Sequence, residues 1–219
     1  FLIFSLGFVV IPAASWILVL MQSGGLQATT RAFDFFTTDG LLLSGQALNI
    51  NWVITYILHL IDPAKYASIH QLDQLNRQIT TNAAPWFLRG QSFYLAVLVI
   101  IIYYWKIKKK DLASFISAAT LIFLSHHQLN KSAYEKHLFY VVVFMLFLYL
   151  IKPTKTNLAL LILFDVMTVI NLIFFYGFTG TGSLNRHFFS FDITVLFSLF
   201  YFVIFLWILV MYLKRKVLN

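Results

Sequence analysis

Three histidines, two lysines and a glutamate fall within one short stretch, "LSHHQLNKSAYEKHLFY", from Leu124 to Tyr140. Such a group suits a phosphate held at the depth of lipid headgroups, because charged donors bind it strongly where the dielectric is low. If the stretch continues as a helix, His127, Lys131 and Glu135 stand at i, i+4 and i+8 on one face, with Asn130, Tyr134 and His137 in a neighbouring stripe. The same residues fit a plain polar turn at an interface, where Lys131 and Glu135 would form an exposed ion pair worth under about 1 kcal/mol. A zinc site is a third option, since three imidazoles and a carboxylate are adequate ligands. Against it, the adjacent His126 and His127 point to different faces of a helix. The sequence calls for no cofactor, and a divalent metal has no further support.

Three other groups carry chemistry. In "TTRAFDFFTTDGLLLSGQALNINW", Thr29 to Trp52, Arg31, Asp34 and Asp39 sit among Phe33, Phe35 and Phe36. Either Arg31 pairs locally with Asp34, or it holds a phosphate or sugar above the aromatic rings; spacing leaves both open. Asp165 lies inside "LLILFDVMTVINLIFF", six residues before Asn171. An ionisable residue at bilayer depth costs roughly 2.5–3.5 kcal/mol on insertion scales, so Asp165 is expected to face the bundle interior and bond a neighbouring helix. The stretch "GFTGTGSLNRHFFSFD" holds Arg186 and His187, but its glycines precede no Lys-Ser or Lys-Thr pair of a P-loop. No Ser-His-Asp order, HExxH, CxxC or dinucleotide fingerprint occurs, so hydrolase, protease and redox readings have no basis.

The elements that must position these groups are membrane helices. Of the 219 residues 60% are hydrophobic and only 11% charged, with 24 Phe and no Cys; a soluble domain carries roughly 25% charged residues. Six runs are expected to span: Phe1–Met21, Ser92–Trp105, Leu112–Ser125, His137–Ile151, Leu158–Phe178 and Ile193–Leu213. The clusters "KIKKK" (Lys106–Lys110), "KPTK" (Lys152–Lys155) and "KRK" (Lys214–Lys216) hold nine of the sixteen Lys and Arg residues. Alternating spans put all three on one face, as the positive-inside rule expects of the cytoplasm. The net charge of +8 is therefore topological, and no nucleic acid is expected as a partner. The chain opens on Phe inside an apolar run, with no basic n-region of a signal peptide, so residues are expected upstream of Phe1.

The opposite, extracytoplasmic face receives residues 22–91, 126–136 and 179–192. Within the first, "LLLSGQALNINWVITYILHLID" (Leu41–Asp62) is interrupted by Gln46, Asn49 and Asn51, and its apolar part, Trp52–Ile61, is too short to cross. A re-entrant or interfacial helix ending at Pro63 is expected there. Ile69, Leu72, Leu75 and Ile79 follow at near-helical spacing, as in an amphipathic helix on the membrane surface, with Pro85 and Trp86 marking the return to the bilayer. The expected fold is thus an all-α integral membrane protein with about six transmembrane helices. Residues 1–21 form the first, 22–91 a long loop with re-entrant or amphipathic helices, and 92–219 a bundle of about five more.

Two islands resemble the GT-C superfamily of glycosyltransferases that take sugar from a polyprenyl phosphate. In the mannosyl- and glucosyltransferase branches an Arg-Ala-Phe-Asp element precedes an Asn-Trp pair; here these are Arg31, Ala32, Phe33, Asp34 and Phe35, then Asn51 and Trp52. Downstream, "SAYEKHLFY" is similar to a His-Glu-Lys or His-Glu-Arg-Tyr element that opens a span after a short outward loop. Glu135 and Lys136 match; Tyr134 stands where the family has its His, and His137 follows.

The resemblance implies an inverting transfer of a hexose at the extracytoplasmic face. A carboxylate base activates the acceptor hydroxyl, which attacks the sugar C1 as the polyprenyl phosphate departs, and cations stabilise the leaving phosphate. The family's base lies in an earlier outward loop with no recognisable counterpart here. The chain is therefore expected to be the C-terminal, donor-binding half of such an enzyme, inactive without the missing N-terminal half or a partner subunit. Lys131, Lys136, His127, His137 and Arg31 would contact the donor phosphate, with Glu135 and Asp34 orienting them. The expected partners are the polyprenyl-phosphate sugar donor and the lipid bilayer, and the expected location is a bacterial inner membrane, with the endoplasmic reticulum membrane as the alternative. The main rival is a non-catalytic membrane subunit or lipid-binding scaffold. A transporter, suggested by Asp165 and Asn171, ranks last because the spans hold so few polar groups.

Overall fold

The computed structural model of the chain describes residues 42–45, 47–66, 83–89, 111–131, 136–178, 187–188 and 191–214, with Ile17, Met21, Ile79, Leu95, Leu98, Ala133, Tyr134 and Leu218. The chain divides at Leu41. In the unit Phe1–Leu41, Ile17 and Met21 are helical and exposed. The unit Leu42–Asn219 carries every element below.

Its helices are α1 (Ile50–Ile61), α2 (Pro63–Tyr66), α3 (Trp86–Arg89), α4 (Leu112–Leu129), α5 (His137–Ile151), α6 (Lys155–Tyr176) and α7 (Ile193–Leu213). One two-residue hairpin, β1 (His187–Phe188) with β2 (Phe191–Asp192), precedes α7. The described residues are mostly helical, and three helices are long and apolar enough to cross a membrane: α4, α6 and α7.

That is three where the sequence predicts about six. α5 begins and ends where expected, but its 15 residues reach only about 22 Å at 1.5 Å per residue, short of a hydrocarbon core of roughly 30 Å. Phe1–Met21 and Ser92–Trp105 lie outside the described residues except for Ile17, Met21, Leu95 and Leu98. Of the amphipathic stretch, Ile79 alone is described; it is buried with Leu43, Leu58, Ala84 and Leu88, and its carbonyl accepts from the Leu43 N–H at 2.9 Å.

Local chemistry sets the helix starts. Asp111, Thr154 and Asp192 are N-caps whose side chains accept from the N–H of Ser114, Asn157 and Thr194. Inside α4, the hydroxyls of Ser117, Thr120 and Ser125 donate to the carbonyls four residues earlier at 2.7–2.9 Å. These bonds satisfy each hydroxyl within its own helix, so polar residues can sit in the core of the bundle. α4 therefore continues past its expected end at Ser125 to Leu129, taking His126 and His127 into the helix.

The bundle alternates in direction. α4 and α5 pack antiparallel through Phe123 against Tyr140 and Phe144. α6 and α7 do so through Phe174 against Phe197, and through the Tyr201 hydroxyl donating to the Met167 carbonyl at 2.8 Å. The C-termini of α4 and α6 and the N-termini of α5 and α7 consequently share one end. Lys152, Lys155 and Lys214 mark the other, beside Asp111 at the start of α4.

Candidate functional site

The histidine- and lysine-bearing end of the bundle is covered by the segment from Leu42 through α1. Here side-chain amides do the connecting. Asn49 caps α1, its Oδ1 accepting from the Trp52 N–H at 3.0 Å, while its Nδ2 donates to the His127 carbonyl at 3.0 Å. Asn51 Nδ2 donates to the Asn130 carbonyl at 2.9 Å. Leu48 offers its N–H to Asn171 Oδ1 on α6 at 2.9 Å, and its carbonyl accepts from Gln128 Nε2 at 3.4 Å. Trp52 Nε1 donates to Thr194 Oγ1 at 2.7 Å, and that hydroxyl donates to Asp192 Oδ1 at 2.5 Å. Asn49, Asn51, Gln128, Asn171, Asp192 and Thr194 are all fully buried. Buried amides and carbonyls of this kind are costly unless paired, and these bonds pair most of them across four separate elements.

One contact fixes the cover closely. Gly45 N–H donates to the Ala133 carbonyl at 3.0 Å, and Gly45 and Tyr134 form a β-bridge. A Cβ on Gly45 would lie 2.8 Å from the Tyr134 ring, so glycine is what allows this approach.

The site residues divide by depth. Lys136 is exposed, with Nζ 5.2 Å from the Tyr134 ring centroid, a cation–π distance. Lys131 is half-buried in the turn after α4. His137, half-buried at the start of α5, has its ring 5.0 Å from that of His126, and its Nδ1 accepts from the Tyr134 N–H at 3.0 Å. That bond assigns the proton of the neutral ring to Nε2, leaving a donor there. Arg31, Asp34 and Glu135 lie outside the described residues.

Two expectations are corrected. His127 and Lys131 do not share a helical face, because α4 stops at Leu129. Asn130 is extended (φ −82°, ψ 141°), and its N–H closes the last turn on the His126 carbonyl. The chain then turns to bring Ala133 to Gly45. Nor does His127 stand at the rim. It is fully buried, with Nδ1 3.2 Å from Gln128 Nε2. A phosphate at this end would meet Lys136, Lys131 and His137 before it. His127 Nε2, Gln128 Oε1 and Asp192 Oδ2 have no hydrogen-bond partner among the described residues. No group of three or more His, Cys, Asp or Glu placed to hold a metal occurs among the described residues.

Sequence reasoning missed the connecting roles of Asn49, Gln128 and Thr194. Two signals were available: Asn49 three residues before Trp52, and Asp192 two before Thr194, both have N-cap spacing. Their cross-bundle partners have no local signature. No family model matches the chain, and no curated protein or solved structure is significantly similar to it.

Proposed function

We propose that the chain is the donor-binding half of a membrane glycosyltransferase, which moves a hexose from a polyprenyl phosphate to an acceptor at the extracytoplasmic face. One observation carries this. The two islands that resemble such enzymes stand some eighty residues apart in sequence, yet Gly45 and Asn51 of the first bond directly to Ala133 and Asn130 beside the second. Residues that cooperate on one substrate must meet, and these two contacts, at the end of the bundle that carries Lys131, Lys136 and His137, support the reading.

In this reading the lysines and the His137 Nε2–H surround the donor phosphate and stabilise the charge it gains as the sugar C1–oxygen bond breaks. Glu135 orients the lysines, and a carboxylate base deprotonates the acceptor hydroxyl. The reading also puts the Lys106–Lys110, Lys152–Lys155 and Lys214–Lys216 clusters on the cytoplasmic side of a bacterial inner membrane. The test is transfer of radiolabelled hexose from its polyprenyl phosphate in native membranes. Lys136→Ala is expected to abolish transfer without altering thermal stability; unchanged turnover removes Lys136 from the site.

A non-catalytic lipid-binding subunit, which uses the same cations to hold anionic headgroups, is the second reading, favoured by the exposure of Lys136 at this end of the bundle. It predicts that the protein retains anionic lipid in a Lys136-dependent way while no sugar is transferred under any donor.

A further inference from the structure

α6 has two faces of very different character. Leu160, Phe164, Met167, Asn171 and Phe175 are buried against the bundle. On the other side Leu158, Ile162, Asp165, Val169, Leu172 and Tyr176 are exposed. Their spacing alternates four and three residues over five intervals, which is the seam along which one helix packs on another. The seam's only carboxylate, Asp165, sits halfway along a helix of membrane-spanning length.

We infer that this stripe docks a membrane helix of another protein, one that carries a lysine or arginine near its midpoint to meet Asp165. Lipid tails cannot solvate a carboxylate, so a mid-span aspartate calls for a donor at its own depth. None stands at that depth among the described residues. The described cations, such as Lys131, Lys136, Lys152, Lys155 and Lys214, lie at helix ends. Phe1–Met21 and Ser92–Trp105, the other two expected spans, contain no Lys, Arg or His. A second copy packed two-fold on the same stripe would present aspartate to aspartate. Charge complementarity therefore selects a basic partner helix, with the apolar seam setting its register. The inference is independent of sugar transfer.

The test reconstitutes the full chain in phosphatidylcholine vesicles with a labelled synthetic helix of about 20 leucines carrying one central arginine, compared with the same helix without it. Energy transfer is expected to report association roughly tenfold tighter for the arginine helix, with the gain lost in Asp165→Leu and reduced when the arginine moves to the helix end. Equal association of the two helices overturns the inference. So does dimerisation of the chain itself, by sedimentation, that Asp165→Leu abolishes. The substitution faces outward, and unchanged tryptophan fluorescence would show that the variant is folded.

Discussion

Asp165 and Asn171 stand six residues apart on α6 and serve opposite sides of it. Asn171 is fully buried and accepts from the Leu48 N–H, joining the helix to the segment that covers the bundle end. Asp165 is exposed midway along the helix. From sequence, the charged residue is the one expected to face inward, because its insertion costs more. The structure gives the interior to the neutral amide. An amide can donate and accept without ionic desolvation, so it suits a position where one backbone N–H needs an acceptor. The carboxylate stands on the exposed face of the helix.

Substitutions inside the bundle end should therefore cost stability, and the cost should follow the number of buried groups stranded. Asn49→Leu is the most damaging. It removes the cap on Trp52 N–H, roughly 1 kcal/mol, and takes the Asn49 donor from the His127 carbonyl, about 1–3 kcal/mol more. The midpoint of unfolding in mixed micelles, followed by tryptophan fluorescence, should fall clearly; a shift no larger than that of a surface substitution would mean that the amide network does not hold the cover in place.

Gly45→Ala ranks next. Its methyl group would lie 2.8 Å from the Tyr134 ring, and overpacking of this sort costs about 1–3 kcal/mol. The Tyr134 ring also lies under Lys136, so on the proposed donor-binding role the same variant should lower retention of a polyprenyl phosphate more than Trp52→Phe does. Trp52→Phe keeps an aromatic ring against Phe175, 5.3 Å away in the native structure, and loses the bond to Thr194, at about 1 kcal/mol. If Trp52→Phe destabilised more than Gly45→Ala, the close approach at Tyr134 would be the softer of the two contacts.

These contrasts also mark what the sequence reveals. α5 and α7 were legible to the residue, because an apolar run bounded by Lys152 and by Asp192 or Lys214 leaves little freedom in where a helix starts and stops. The short helix α1 was legible as well: Asn49 and Asn51 interrupt the apolar run, and the uninterrupted part is too short to cross. The end of α4 was not. Polar "SHHQ" reads as a loop by composition, yet it continues the helix because Ser125 bonds its own turn and Asn49 and Leu48 engage His127 and Gln128. Those partners lie some eighty residues away, and nothing local announces them. The burial of His127 is hidden for the same reason, while Lys131 and Lys136, next to the turn, and His137, at the start of α5, are half-buried or exposed.

The smallest effect tests the other side of α6. Asp165→Leu removes no hydrogen bond to the bundle, since the residue lies on the exposed face while Phe164 and Thr168 beside it face inward. Its unfolding midpoint should stay within about 0.5 kcal/mol of the unsubstituted chain, as for outward substitutions generally. Asn171→Leu, six residues away, takes the Oδ1 acceptor from the Leu48 N–H and should lose about 1–3 kcal/mol. Measured side by side, the pair separates the two faces without reference to any ligand. Equal losses would mean that Asp165 is engaged inside this chain, and the basic helix inferred to dock against it would have no vacant carboxylate to meet.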